Sequence, residues 1–342
     1  MQKPFVFISL FWIHMVKVAV IGTGNMGRHH ARVYSELEES ELVAVTDINK
    51  RKGKQIAKKF KCKFYSDYKT MLKNESVDAV SVAVPTFLHK EVSLGCIEEG
   101  KHVLVEKPIA KTLEDAKTII NYAKKKKIKL AVGHTERFNP AVQKLKELFQ
   151  KNRLGKIITI SAKRVGLLPP QIRDANVIID IAVHDIDVFN YLLEKKPTKI
   201  YATAGKALIA KREDYADILM KYDGTNAFIQ VNWVTPVKIR TLSVTGIKGY
   251  AELNYMTQDL FLFKSDWSYI KEKTFTDIKK LGTPKKKRIK IQKEEPLKRE
   301  LRSFLNWIKT GKKHPCTGKE GLLALETAYK VIESYKKSEP VI

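Results

Sequence analysis

A glycine-rich turn near the start of the chain constrains its fold more than any other feature. The apolar run Val16–Ile21 leads directly into Gly22-Thr23-Gly24-Asn25-Met26-Gly27, and helical periodicity follows through Leu37. In such a strand–turn–helix unit the first glycine permits the tight turn, the second lets the backbone approach a pyrophosphate, and the third allows close helix packing. Amide groups at the helix N-terminus then favour the bound anion. The spacing predicts a dinucleotide-binding turn, with contacts from Gly22, Gly24, Asn25, Met26 and Gly27.

An acidic residue stands where this unit needs one. Asp47 follows the second apolar run, Leu42–Thr46, about 20 residues after the glycine motif. A carboxylate there can accept hydrogen bonds from both ribose hydroxyls and repels a 2′-phosphate, so NAD is the predicted cofactor. Arg51 and Lys52 lie close by and could instead clamp a phosphate, which keeps NADP as an alternative.

Alternating strand and helix patterns fill the first part of the chain and predict the fold class. Six apolar runs, each followed by a helical pattern or a turn, occur before residue 135. This alternation is typical of a parallel, doubly wound Rossmann sheet. Between residues 157 and 255 the chain instead alternates apolar and polar residues in short segments, which predicts an open, mostly antiparallel sheet backed by a few helices. The protein is therefore expected to be α/β, with a second domain of α+β type.

These patterns also divide the chain, whose 342 residues suit about two domains. We expect a dinucleotide-binding domain over 15–135 and a substrate and oligomerisation domain over 136–342, with the last helix packing back on the first domain. Residues 1–14 include an apolar stretch far shorter than the roughly 20 residues that span a bilayer. Met15 directly precedes the first strand, so residues 1–14 are expected to be an extension before the true start.

The cysteines and the charge limit the function classes. Cys62, Cys96 and Cys316 are widely spaced, which disfavours a disulfide scaffold or a cysteine zinc site and fits a reducing cytoplasm. No membrane partner is expected, because the apolar stretch near the start of the chain is too short to span a bilayer. The formal net charge of +27 is compatible with nucleic-acid binding, with a solvated lysine-rich surface, or with a field that attracts an acidic small substrate. The basic runs 124–127 and 285–288 lack interleaved aromatic residues, so no nucleic-acid partner is expected.

Glu106-Lys107-Pro108 follows the fifth apolar run, His102–Val105. Ligands of open α/β sheets bind at the carboxyl ends of the strands, where this segment lies. A lysine is usually a solvated surface residue, but here the following proline fixes the backbone that aims it. We expect Lys107 to hydrogen-bond the reacting hydroxyl and to stabilise developing negative charge on its oxygen.

A second polar cluster reads Asp180-x-x-x-His184-Asp185-x-Asp187. On an α-helix Asp180, His184 and Asp187 share one face, so Asp180 is predicted to orient the imidazole and raise its basicity. The alternatives are a core histidine, an acid cluster at a helix N-terminus, or a metal site. No metal is expected, because oxidation of an alcohol by nicotinamide needs none.

Taken in order, these elements resemble the Gfo/Idh/MocA family of oxidoreductases over nearly everything from Val16 to Ser334. The matching motifs are Gly22 to Gly27, Val84-Pro85-Thr86 with His89, Glu106-Lys107-Pro108, Gly133-His134-x-x-Arg137-Phe138-Asn139-Pro140, the Asp180 to Asp187 cluster, and Gly321-Leu322-x-Ala324-Leu325. The resemblance implies that Lys107, Asp180 and His184 form the catalytic group, with Asp187 as a further polar contact. It also implies that the open sheet mediates a homodimer or homotetramer. Residues implied to lie along the cofactor are Pro85, Thr86, His89, Glu106 and Lys107.

The segment from Arg164 to Asp174 is similar to that of family members that act on UDP-N-acetylated sugars at C3. Arg164 and Arg173 could meet a diphosphate, and Trp233 or Arg240 could approach it from the sheet, whereas the alternative is that each is an ordinary surface or sheet residue. The expected substrate contacts are Lys107, Arg137, Asn139, Arg164, Arg173, His184 and Asp187. We therefore expect oxidation of a secondary sugar hydroxyl by hydride transfer. The alternatives are an inositol or free-sugar dehydrogenase of the same family and a non-catalytic, dinucleotide-responsive regulator.

Overall fold

Two β-sheets organise the chain in the computed structural model, which describes residues 15–168, 175–264 and 285–342. The first sheet has six parallel strands in the order β3-β2-β1-β4-β5-β6. Its strands are β1 (Val16–Ile21), β2 (Ser40–Thr46), β3 (Lys63–Tyr65), β4 (Ala79–Val82), β5 (His102–Glu106) and β6 (Leu130–Gly133). Its helices are α1 (Asn25–Glu36), α2 (Lys50–Phe60), α3 (Tyr68–Asn74), α4 (His89–Glu98) and α5 (Leu113–Lys125). The predicted doubly wound parallel sheet is confirmed.

Local sequence explains where these helices begin. The side chains of Asn49, Asp67 and Thr112 accept hydrogen bonds from backbone amides in the first turns of α2, α3 and α5. Such caps satisfy amides that have no partner inside the helix. All four residues of β4 are buried, as expected for a parallel strand that is covered on both faces.

The second sheet has eight strands in the order β14-β13-β12-β11-β7-β10-β9-β8. They are β7 (Ile157–Leu167), β8 (Lys199–Gly205), β9 (Tyr215–Tyr222), β10 (Thr225–Asn232), β11 (Val234–Gly246), β12 (Gly249–Asn254), β13 (Asp259–Lys264) and β14 (Lys286–Arg288). Only the central β7–β10 pair is parallel among these described strands. The predicted mostly antiparallel sheet is therefore confirmed, and helices α6 (Pro140–Gln150) and α7 (Val183–Leu193) pack on its inner face.

The structure differs from the sequence-based expectation at one side of this sheet. Strand β11 begins at Val234, whereas the pattern predicted a strand only from Arg240 to Thr245. Its pairing with β7 is interrupted between Val234 and Ile239, and residues 236–238 are exposed. An irregular, exposed stretch of this kind breaks the alternation on which strand prediction depends. Strands β13 and β14 were not predicted at all.

The C-terminal helices connect the two sheets. Leu301, Phe304 and Leu305 of α8 (Pro296–Thr310) join the core between β1 and α1. Helix α9 (Gly318–Lys337) places Leu325 in the core of the first sheet and Val331 in the core of the second. Within the described residues, no helix combines the length and apolarity needed to cross a membrane.

Candidate functional site

The glycine turn between β1 and α1 leaves open space where an anion can approach. A Cβ on Gly22, whose φ is +89°, would lie 2.6 Å from the Ala83 carbonyl oxygen, and a Cβ on Gly27 would lie 1.8 Å from that of Gly22. Gly24 differs, because no atom lies within 4 Å of its added Cβ. The free space therefore adjoins the first amides of α1, where the pyrophosphate of a dinucleotide binds in Rossmann folds. The residues of the turn fit that group.

Asp47 ties the end of β2 to this turn. One of its carboxylate oxygens accepts hydrogen bonds from the Thr23 amide at 2.8 Å and the Thr23 hydroxyl at 2.6 Å. The other oxygen accepts a hydrogen bond from the Asn49 amide at 2.7 Å. A carboxylate has about four lone-pair sites, so these three bonds leave capacity for a ribose hydroxyl. The structure thus places Asp47 beside the turn, as the sequence spacing predicts.

The segment after β4 carries three predicted cofactor residues. Pro85 precedes a short 3₁₀ turn, Thr86–Leu88, that leads into α4. The His89 ring is buried, with Nδ1 2.8 Å from the Pro108 carbonyl oxygen and Nε2 3.0 Å from that of Val84. His89 therefore contacts the backbone of the turn after β5 and holds it in place. Direct contact of His89 with a cofactor stays a prediction.

A buried hydrogen-bond chain that the sequence reasoning missed runs beneath the end of β5. His30 Nε2 lies 2.8 Å from Glu106 Oε1, and His30 Nδ1 lies 3.0 Å from the Ser81 hydroxyl, which also contacts Tyr34. Burial raises the pKa of Glu106, but the His30 hydrogen bond and the charges of His30 and Lys107 outweigh it and hold this pKa below its ordinary value. Glu106 is thus an anion fixed directly before Lys107. The sequence signal that could have revealed this chain of hydrogen bonds was the position of His30 on the inward face of α1.

Lys107 reaches from the first sheet to the second domain. Its Nζ donates hydrogen bonds to the backbone carbonyl oxygen of Asp180 at 2.8 Å and to Asp180 Oδ1 at 3.1 Å. An ammonium group has three donors, so one N–H has no partner among the described residues and can bond a ligand oxygen. The side chains of Lys107 and Asp180 are 16% and 17% exposed, so both stay partly accessible to a ligand.

The predicted orientation of His184 by Asp180 is wrong. Asp180 lies in a π-helical turn, Ile178–Ala182, that precedes α7. This widened turn breaks the i, i+4 alignment that an α-helix would give. Asp180 instead bonds Lys107, and His184 Nδ1 is buried without a hydrogen-bond partner among the described residues.

His184 is held as a neutral base. Burial, then the positive charges of Lys107 and Arg164, lower the pKa of His184 well below its ordinary value. At neutral pH the imidazole therefore carries no charge and can accept a proton. Of the two ring nitrogens, Nδ1 is fully buried without a hydrogen-bond partner among the described residues, so Nε2 is the nitrogen that can meet a ligand.

The other predicted substrate residues are engaged inside the protein. Asp187 accepts two hydrogen bonds of 2.7 Å from Arg137, and both side chains are buried. Asn139 caps α6 through the Ala141 amide and donates to the Tyr255 carbonyl oxygen. These bonds argue against the predicted substrate contacts of Arg137, Asn139 and Asp187.

Arg164 is satisfied in the same way. Its guanidinium bonds Asp185 at 2.7 and 3.2 Å and Glu136 at 3.0 Å, and it lies over the Tyr255 ring. Arg164 is 3% exposed, so the geometry argues against a predicted role as the main diphosphate ligand. Arg173 lies outside the described residues.

One buried group has the composition of a metal site. Ligand atoms of His134, Asp187 and Cys316 lie within 4.8 Å of one another, and both ring nitrogens of His134 lack hydrogen-bond partners among the described residues. Arg137, however, already bonds both oxygens of Asp187. A cation would have to displace that pair, so the cluster is better explained as packing around a salt bridge.

Comparison with known proteins covers both parts of the chain. Residues 16–134 match the model of an oxidoreductase family with an NAD-binding Rossmann fold, and residues 142–252 match the GFO/IDH/MocA C-terminal domain. UDP-N-acetylglucosamine 3-dehydrogenase of Acidithiobacillus ferrooxidans is 28% identical over 93% of this chain and 96% of its own. Its solved structure aligns with a TM-score of 0.83, at 26% identity over 94% of this chain and 98% of that one.

Two further proteins are similar to this chain, one in sequence and one in fold. Inositol 2-dehydrogenase/D-chiro-inositol 3-dehydrogenase of Lacticaseibacillus casei is 33% identical over 55% of this chain and 56% of its own. An oxidoreductase of Agrobacterium radiobacter, solved in complex with NAD+, L-tartaric acid and magnesium, shares the fold with a TM-score of 0.83, at 16% identity over 95% of this chain and 98% of that one.

Two glycines of the turn provide a matched test of the cofactor site. Gly27→Ala should lower the free energy of unfolding of the cofactor-free protein by about 1–3 kcal/mol, because the new methyl group overpacks against the Gly22 carbonyl. Gly24→Ala should leave that free energy almost unchanged and weaken NAD binding, because its methyl group enters the open space. Urea unfolding and calorimetric titration with NAD measure both effects. Unchanged NAD affinity in Gly24→Ala would contradict this placement of the pyrophosphate.

The Arg137–Asp187 pair is expected to be structural. Asp187→Leu should cost about 3–5 kcal/mol of unfolding free energy, because it leaves a buried guanidinium unpaired. The double variant Arg137→Met with Asp187→Leu should recover much of that loss. The exposed pair Glu333–Lys337 supplies the control, since Glu333→Gln should change stability by less than about 1 kcal/mol. Denaturant unfolding measures these free energies. If Asp187→Leu is at least as stable as the double variant, the structural assignment of the pair is wrong.

Proposed function

Because the chain belongs to the Gfo/Idh/MocA family of NAD-dependent oxidoreductases, we propose that it oxidises C3 of a UDP-N-acetylated hexose. The observation that carries the proposal is the contact of Lys107 with Asp180 beside the neutral imidazole of His184. A proton acceptor and a positively charged donor together are what the oxidation of a secondary alcohol requires. The similarity to the A. ferrooxidans UDP-N-acetylglucosamine 3-dehydrogenase supports the choice of sugar.

In this proposal Lys107 binds the reacting hydroxyl. Its free N–H donates a hydrogen bond to the substrate oxygen, while Asp180 holds the ammonium group in place through two hydrogen bonds. The positive charge stabilises the oxygen as it loses its proton. Asp180 thus acts on the lysine, in place of the role toward His184 that its spacing predicted.

His184 accepts the hydroxyl proton at Nε2. The low pKa of the ring keeps it neutral before the reaction, so a lone pair is available at neutral pH. NAD, when bound, accepts the hydride from the same carbon. The products are a keto sugar, reduced NAD and a proton that leaves through His184.

Loss of either side chain should abolish turnover while the cofactor still binds. Lys107→Met and His184→Asn should each lower kcat/KM by about 10²–10⁴-fold, with the affinity for NAD nearly unchanged. In the wild-type protein the acidic limb of kcat/KM should lie below pH 6.5, because activity falls only where His184 becomes protonated. Reduced-nicotinamide absorbance, recorded over pH with UDP-N-acetylglucosamine, myo-inositol and free sugars, measures both.

Lys111→Met is the matched control, because Lys111 is an exposed lysine on the same loop and should be dispensable. Full activity of Lys107→Met or His184→Asn would refute the assigned roles. Turnover of myo-inositol alone would replace the proposed substrate by that of the L. casei relative.

We further propose that the outer face of the second sheet joins copies of this chain. Tyr201, Leu219 and Phe228 are 39%, 40% and 43% exposed and lie in register across β8, β9 and β10. An apolar row of this kind on an open sheet is typical of a subunit interface. Light scattering should give the mass of a dimer or tetramer, and Leu219→Glu should reduce it, whereas Lys330→Glu on α9 should not. A monomeric wild-type protein would contradict the interface.

A further inference from the structure

A small cavity on the inner face of the second sheet adjoins the proposed catalytic group. Its volume is about 260 Å³, and its lining includes Ile181, Trp233, Lys238 and Arg240. Ile181 directly follows Asp180, which accepts hydrogen bonds from Lys107. A substrate whose hydroxyl lies at Lys107 would therefore reach into this cavity with its next group.

The cavity is lined by cations that have no direct counter-charge. Within the described parts of the chain, neither Lys238 nor Arg240 forms an ion pair or a side-chain hydrogen bond. The nearby carboxylates of Asp185 and Glu136 both bond Arg164. Together with Asp180 they act on Arg240 only through space, because none of them contacts Lys238 or Arg240 directly.

Backbone pairing explains why these charges meet. Arg240 of β11 lies opposite Arg164 of β7, and Lys238 packs along Gly166 of the same strand. Lys238 lies in the irregular stretch of β11, and it lines the same cavity as Arg240 and Arg164.

The cations also act on one another. The charge of Arg240, followed by partial burial, lowers the pKa of Lys238, whereas burial and the charge of Arg164 lower the pKa of Arg240. Like charges held together at a half-buried site are unfavourable until an anion arrives.

We propose that Lys238 and Arg240 bind the phosphoryl group of the substrate and make the enzyme selective for phosphorylated or nucleotide-linked sugars. This inference rests on the proposed function for the position of the reacting hydroxyl, and it assigns the anion to these two residues in place of Arg164. The cavity is large enough for one or two phosphoryl groups, and Lys238, being exposed, can admit them from solvent.

Binding experiments on the full chain test the subsite without relying on turnover. With NAD present, calorimetric titration with UDP and with inorganic diphosphate should show at least a tenfold rise in Kd for Lys238→Gln and for Arg240→Gln. The Kd for NAD should not change, which also shows that the variants are folded. Lys248→Gln removes a lysine just beyond the other end of β11 and should bind UDP as the wild type does. Equal UDP affinity in Lys238→Gln, Arg240→Gln and wild type would overturn the proposal.

A second arm separates the sources of the phosphoryl group and the two proposals. The wild type could bind glucose 6-phosphate more tightly than UDP, and both variants could lose the binding of glucose 6-phosphate. That result would support the subsite, with a sugar monophosphate as its ligand. UDP binding that depends on Lys238 but is accompanied by no hydride transfer to NAD from any sugar would support the subsite and refute the proposed function. Turnover of UDP-N-acetylglucosamine with an unchanged KM in both variants would support the proposed function and refute the subsite.

Discussion

The contact between Lys107 and Asp180 holds the two halves of the site together. Lys107 belongs to the carboxyl edge of the first sheet, beside the dinucleotide turn, and Asp180 belongs to the segment that enters the second domain. Two hydrogen bonds from one ammonium group, one of them to a backbone oxygen, fix the distance between the cofactor side and the substrate side. A shift of about 1 Å in that distance is enough to impair transfer between two bound reactants.

Beneath this contact, buried ion pairs form a rigid support. Arg137 is bonded to Asp187, and Arg164 to Asp185 and Glu136, with the arginine side chains only 4% and 3% exposed. The two aspartates both lie on α7, the helix that carries His184. Their arginine partners lie on separate elements, so the two ion pairs hold this helix in place. These arginines are buried and each is already paired with a carboxylate, whereas Lys107 keeps one donor for a ligand, and Lys238 and Arg240 have no direct ion-pair partner among the described residues. Pairing and burial, rather than residue type, therefore separate the charged residues that support the fold from those that can bind a ligand.

The sequence was sufficient for those features whose partners are close along the chain. The glycine turn, Asp47 and the position of Lys107 after β5 follow from local pattern and from the geometry of parallel sheets, and all are found where expected. The pairs Arg137–Asp187 and His30–Glu106 could not be derived, because their members are 50 and 76 residues apart. The error at Asp180 was different. A single widened helical turn rotates the carboxylate away from His184, and the residue pattern of Ile178–Ala182 gives no signal of it.

One of the two cations that would bind the anion, Arg240, also affects the basicity of His184. Burial, then the charges of Lys107, Arg164 and Arg240, lower the pKa of this imidazole, so in the free enzyme it is neutral but a weak base. A phosphoryl group bound between Lys238 and Arg240 would offset part of that positive field and raise the pKa of His184. Binding of the distant part of the substrate would then strengthen the base that acts on its hydroxyl. Sugars without the phosphoryl group would meet a weaker base as well as a weaker site, so selectivity would extend to kcat in addition to KM.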